Sequence, residues 1–169
     1  KNSPIMLLNT SGDSTIFLSI NNINISKKKC YLYIMEHKKN LTHQVTRNGA
    51  TEPAFSGEYL NNKKKGHYLC VNCDKTIFSS KHKFDSGTGW PSFDRPIDGT
   101  EIVEIVDKSL GMTRTEVRSE YGDAHLGHLF NDGPTETGLR YCINSASLKF
   151  IPVDELDENG YGVFVKLFN

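Results

Sequence analysis

The chain has no surplus of either charge: lysine plus arginine and aspartate plus glutamate stand at 20 each, for a formal net charge of +0 and a pI near 7.2. A neutral chain has no global field to gather phosphate backbones or anionic lipid, so nucleic acid and membrane surfaces are not its expected partners. It also lacks any apolar run approaching the ~20 residues that a membrane-spanning helix needs. Cysteine is scarce. Cys30, Cys70, Cys73 and Cys142 are the four in 169 residues, too few and too unevenly placed for a secreted disulfide framework, and a reducing compartment fits better. Tryptophan occurs once, at Trp90. The first 34 residues hold no arginine and, apart from Asp13, no acid. Their Ser and Lys are loosely like an organelle transit segment, so the expected location is the cytoplasm, or an organelle if that segment is a transit peptide.

With 37% hydrophobic residues the chain has material for one core. The short apolar pieces of the N-terminal stretch settle into no helical or alternating period, so residues 1–40 are expected to be a poorly ordered extension. From Leu41 to Gly66, turn residues such as Asn48-Gly49 and Ser56-Gly57 separate pieces long enough for a helical turn or two. Strand-like segments follow: HYLCV, TIF, EIVEIV, MTRTEVRS, HLGHLF, RYCINSASLKFI and GYGVFVKLF. In MTRTEVRS, Arg114, Glu116 and Arg118 alternate with Thr115 and Val117, the pattern of a sheet with one wet side. Nothing long and helically periodic intervenes, so the fold is expected to be mainly β and antiparallel, with a few short N-terminal helices.

Three places can carry chemistry. On a strand through GLRYCIN, residues two apart share a face, which sets Arg140, Cys142 and Asn144 together. A cation beside a thiol favours the thiolate, the nucleophilic form, so Cys142 reads as reactive; the plainer alternative is a buried cysteine with Arg140 reaching water. Trp90 sits in FDSGTGWPSFDRP between glycines and prolines that can fix its indole as a wall for a methyl or thioether, or it plugs the core. In HLGH, His125 and His128 would face opposite sides of a regular strand unless Gly127 allows a bulge; one of them is the candidate acid. Cys70 and Cys73 form a Cys-x-x-Cys pair, by itself a zinc half-site, a redox dithiol or neither.

Taken in order, SGTGWPSF, RTEVRS, AHLGHLFNDGP and GLRYCINSASLKFIP resemble the methionine sulfoxide reductase B family, and VTRNGATEPAFSGEY is similar to its opening segment. The resemblance covers residues 41–156, leaving 157–169 as a C-terminal tail. It implies two antiparallel sheets and reduction of methionine R-sulfoxide, free or in proteins, by a thioredoxin-type reductant in a monomer. Carried over, Cys142 is the catalytic cysteine, Trp90 the wall for the substrate methyl, and His125, His128, Asp132, Arg140 and Asn144 the polar groups around it. Cys142 would attack the sulfoxide sulfur while His128 or His125 protonates the oxygen, leaving a sulfenic acid.

Two departures from the family pattern matter. Where many members complete a four-thiolate zinc site, this chain has Ser119 and Gly122, so no metal or other cofactor is expected. Where others place the recycling cysteine, it has Thr88, which leaves Cys70, Cys73 or Cys30 to resolve the sulfenic acid, or direct reduction by an external thiol. The competing readings are a zinc-binding β module without catalysis and a Cys/His hydrolase using Cys142, His125 and Asn144.

Overall fold

A computed structural model describes residues 25–100 and 102–168, and residues 1–24, where most of the expected extension falls, lie outside it. The chain divides into two compact units, residues 1–38 and 39–169. Helix α1 runs Ile25–Asn48. It is one long helix where short pieces were expected, and its side chains from Leu32 to Leu41 are exposed, so no apolar stripe betrays it in the sequence. Local pairs support it instead: Tyr33 lies on His37 at 4.2 Å, and Asn48 Nδ2 donates to Gln44 Oε1 at 2.8 Å. Gly49, at φ 67°, closes it.

Two antiparallel sheets form the body of the second unit. The strands are β1 (Gly66–Cys70), β2 (Thr76–Ser79), β3 (Lys83–Phe84), β4 (Ser92–Phe93), β5 (Ile102–Asp107), β6 (Arg114–Ser119), β7 (Ala124–Phe130), β8 (Arg140–Ile143) and β9 (Leu148–Pro152). The small sheet has order β2-β1-β9 and the large one β3-β4-β8-β7-β6-β5. Between them Tyr68, Ile77 and Phe78 of the small sheet meet Phe93, Val117, Leu126, Tyr141 and Ile143 of the large one. Phe78 stacks on Phe93 at 4.4 Å and meets Tyr141 at 5.8 Å. The alternation predicted for β6 holds: Val117 is buried in this core while Arg114, Glu116 and Arg118 face the other way.

Two segments differ from the strand reading. RYCINSASLKFI is not one strand: a 3-10 turn at Ser145–Ser147 carries the chain from β8 in the large sheet to β9 in the small one. Ser147 Oγ donates to the Asn144 carbonyl at 2.7 Å, the local side-chain bonding that competes with a strand ladder. GYGVFVKLF is also no strand; Gly162–Phe168 is a 3-10 segment whose Val165 and Phe168, with Tyr161, pack on Leu69, Ile151 and Leu156. Apolar residues alone did not distinguish a strand from a covering turn.

Candidate active site

The register of the large sheet builds the site. Across β4, β8, β7 and β6, Ser92 pairs with Cys142, Cys142 with His128, and His128 with Glu116. Directly opposed residues face the same side of a sheet, so these four form one row on the face turned away from the core. The neighbouring row holds Arg140 opposite Phe130. Gly127 lies against the Cys142 carbonyl so closely that a Cβ there would overlap it, which explains why β7 carries a glycine at this point.

Both histidines join this face because β7 is bulged. Val117 pairs with Gly127 but Arg118 with His125, so Leu126 is the extra residue and goes to the core. The His125 and His128 rings then lie 5.4 Å apart, which a regular strand would have forbidden. Each ring is held by a carboxylate that the sequence reading did not single out. His128 Nε2 is 2.8 Å from Asp107 Oδ2, and His125 Nδ1 is 2.7 Å from Glu116 Oε1. Asp107 accepts from Ser109 N and Arg114, at 2.8 and 2.7 Å, and these bonds, Ser109's first, with that of His128, hold its carboxyl well below the usual range. Both carboxylates are acceptors only, so the bonded ring nitrogens carry the protons. Burial pushes His125 down from 6.5 although Glu116 opposes this, leaving it neutral at pH 7 with Nε2 buried and unpartnered.

Cys142 is half-buried. Burial opposes ionisation of the Cys142 thiol, and Arg140 favours it. Burial pushes the thiol above its ordinary 9.0, and the pull of Arg140 and Thr88 does not offset it. Asp132 takes Arg140 Nε and Nη2 at 2.8 and 2.9 Å, so part of the guanidinium's bonding is directed away from the sulfur. The Arg140 guanidinium also lies over the Phe130 ring at 4.4 Å, which fixes its plane.

Trp90 stands two residues before Ser92, the strand partner of Cys142, and is half-buried, so it does not plug the core. Its Nε1 donates to the Glu52 carbonyl at 3.0 Å. Glu52 is another residue the sequence did not announce. Its backbone N donates to Asn144 Oδ1 at 3.0 Å, and its buried carboxylate accepts from Ser145 N at 2.7 Å and Ala146 N at 2.9 Å. Asn144 Nδ2 donates to the Leu126 carbonyl at 3.0 Å. Asn144 therefore braces the bulge and the Glu52 loop, and its side chain bonds neither imidazole. Asn144 does not take the orienting role that a Cys/His hydrolase using Cys142, His125 and Asn144 would give it.

Cys70 and Cys73 are not brought to Cys142. Cys73 Sγ is 3.5 Å from Ser119 Oγ, at the far end of the β6–β7 hairpin. Ser119 is three residues along β6 and two strands over from Cys142, a separation of about 14 Å at ordinary strand spacings. Cys30 belongs to the other unit and is exposed. Among the described residues no three His, Cys, Asp or Glu side chains converge as a metal site would require.

Residues 39–152 match the SelR domain. The peptide methionine sulfoxide reductase MsrB of Staphylococcus haemolyticus (strain JCSC1435) is 54% identical over 129 residues, which cover 76% of this chain and 91% of that protein. The matched span contains the whole row from Ser92 through Cys142 and His128 to Glu116, together with Trp90 and both carboxylate-held histidines. On this evidence the chain belongs to the SelR domain family, that of the methionine sulfoxide reductases B.

Proposed function

We propose that this protein reduces methionine (R)-sulfoxide, free or in proteins, to methionine, with Cys142 as nucleophile. The observation that carries this is the register of Cys142 with His128 on one open face beside the half-buried Trp90. A raised thiol pKa suits the reaction, because the overall step is thiol plus sulfoxide giving sulfenic acid plus thioether. The sulfur–oxygen bond of the sulfoxide breaks, a bond from Cys142 Sγ to that oxygen forms, and the thiol proton ends on the oxygen. Only a carrier between sulfur and oxygen is needed. His128 fits that role: Asp107 holds its Nε2–H, and Nδ1 remains to take the thiol proton and deliver it. His125, kept neutral by burial, offers its unpartnered Nε2 to a hydroxyl or water at the oxygen.

Arg140 and Asp132 fix the charge beside the developing sulfenate. Trp90 takes the methyl group, and with oxygen and sulfur also assigned, only one hand of the sulfoxide satisfies all three contacts. The Cys70–Cys73 pair is remote from Cys142, with Cys73 against Ser119 at the far end of the β6–β7 hairpin. The sulfenic acid is therefore reduced directly by an external dithiol of thioredoxin type: one thiol forms a mixed disulfide and releases water, and the second frees Cys142. One chain supplies every group named, so a monomer suffices. No described helix is long and apolar enough to cross a membrane. Turnover of separated epimers with dithiothreitol and with thioredoxin tests the reading. Consumption of the R form alone is expected, and equal rates on both epimers, or none, would overturn it.

A further inference from the structure

The corner formed by Cys70, Cys73, Ser119 and Gly122 has no part in the reaction above, yet it is built from reactive groups. The family's four-thiolate zinc site does not fit here. Such a site needs four donors around one centre, with sulfurs about 2.3 Å from the metal. Position 119 offers a hydroxyl and position 122 no side chain at all. The space is also taken: a Cβ on Gly122 would lie 3.0 Å from Cys70 Sγ and 3.2 Å from Cys73 Sγ. The two sulfurs occupy the room a ligand from position 122 would need. Ser119 Oγ accepts from Gly122 N at 3.3 Å and contacts Cys73 Sγ at 3.5 Å, closing the corner with hydrogen bonds.

We propose that Cys70 and Cys73 are a second, metal-free redox site, a dithiol that a peroxide closes to a disulfide independently of Cys142. The backbone already has the required form. Asp74 N and Cys73 N both donate to the Cys70 carbonyl, at 2.9 and 3.4 Å, so the two cysteines bracket one tight turn. Ends of such a turn lie within about 7 Å of one another, the limit for bridging two Cα atoms without backbone movement. Both sulfurs point at the same spot beside Gly122. Exposure divides the roles, since Cys73 is half-exposed and Cys70 is buried. Cys73 sulfur attacks a peroxide oxygen, the oxygen–oxygen bond breaks, and water leaves with a sulfenic acid on Cys73. Cys70 sulfur then displaces the hydroxyl as a second water and forms the disulfide.

The test uses the full chain carrying Cys30→Ser and Cys142→Ser, which leaves this pair as its only thiols, alongside the wild type. After hydrogen peroxide, intact mass should fall by two hydrogens, peptide mapping should link Cys70 to Cys73 in both proteins, and dithiothreitol should reverse the change. Adding Cys70→Ala should abolish the link and let Cys73 proceed to sulfinic acid. Two thiols still open to alkylation after peroxide, or sulfinic acid on Cys73 with Cys70 intact, would overturn the proposal. So would one zinc per chain retained through gel filtration after incubation with the metal; none is expected.

Discussion

Asp107 sits on the edge strand, two strands from the histidine it holds, and no motif around it distinguishes it from the exposed Glu104 on the same strand. Its role exists only because the sheet order places β5 next to β6 and the side chain reaches past Arg114 to His128. Asp107→Asn should leave the fold intact and lower kcat by about 10- to 100-fold, a fraction of the gain usual for a positioned acid–base group, with KM little changed. Steady-state rates across pH are the measurement, because a positioning role shows in kcat and its pH profile while a merely structural one does not. An unchanged profile would remove Asp107 from the positioning of that ring. Cys142→Ser should abolish turnover while circular dichroism stays native, since a serine hydroxyl is too weakly ionised to replace the sulfur. That Arg140 and Cys142 share a face of β8 was readable because strand alternation is local. The Arg140–Asp132 pair was not, because it is a contact between side chains on opposite sides of a loop.

At the scale of elements, the bulge in β7 does most to make the site. Without the extra residue, His125 would turn to the core and Leu126 to the open face. HLGH carried the possibility in its glycine, but only pairing with β6 and β8 decides that a bulge forms. Gly127→Ala should destabilise the protein by about 1–3 kcal/mol, the usual range for overpacking, since the new Cβ meets the Cys142 carbonyl. Denaturant unfolding measures this, and activity should fall further than stability because the same shift displaces Cys142 from His128. A variant as stable and active as the wild type would mean that the close approach is not constraining. Helix α1 shows the opposite case: its propensity and local pairs sufficed without a buried stripe, which is why periodicity missed it.

For the whole molecule, burial of titratable groups sets how stability depends on pH. His67 and His125 are both pushed below their ordinary 6.5 by burial. As pH falls below about 6.5 the unfolded chain takes up protons that the folded one refuses, so stability declines. Cys70 and Cys142 are pushed above 9.0, so above about pH 9 the unfolded chain releases protons that the folded one keeps, and stability declines again. Melting temperature should therefore be highest between about pH 7 and 9. His67→Gln should flatten the acid limb, and an unaltered limb would assign it elsewhere. His67 is covered by the C-terminal segment, with Phe164 and Phe168 at 5.5 and 5.0 Å. Removing residues 157–169 should cost about 2–4 kcal/mol, judged from the partly buried Tyr161, Val165 and Phe168, and should weaken the same acid limb.

The sequence by itself determined most of the strand segments, the wet face of β6 and the family, because alternation and short motifs are written along the chain within a few residues. Tertiary structure alone decided which carboxylate serves which histidine, why Asn144 braces the site without touching an imidazole, and that burial pushes the Cys142 thiol up. It also decided that Cys70 and Cys73 face Ser119 and Gly122 and not Cys142. Each of these depends on pairing between distant segments or on burial, and neither of those quantities is a property of neighbours in sequence.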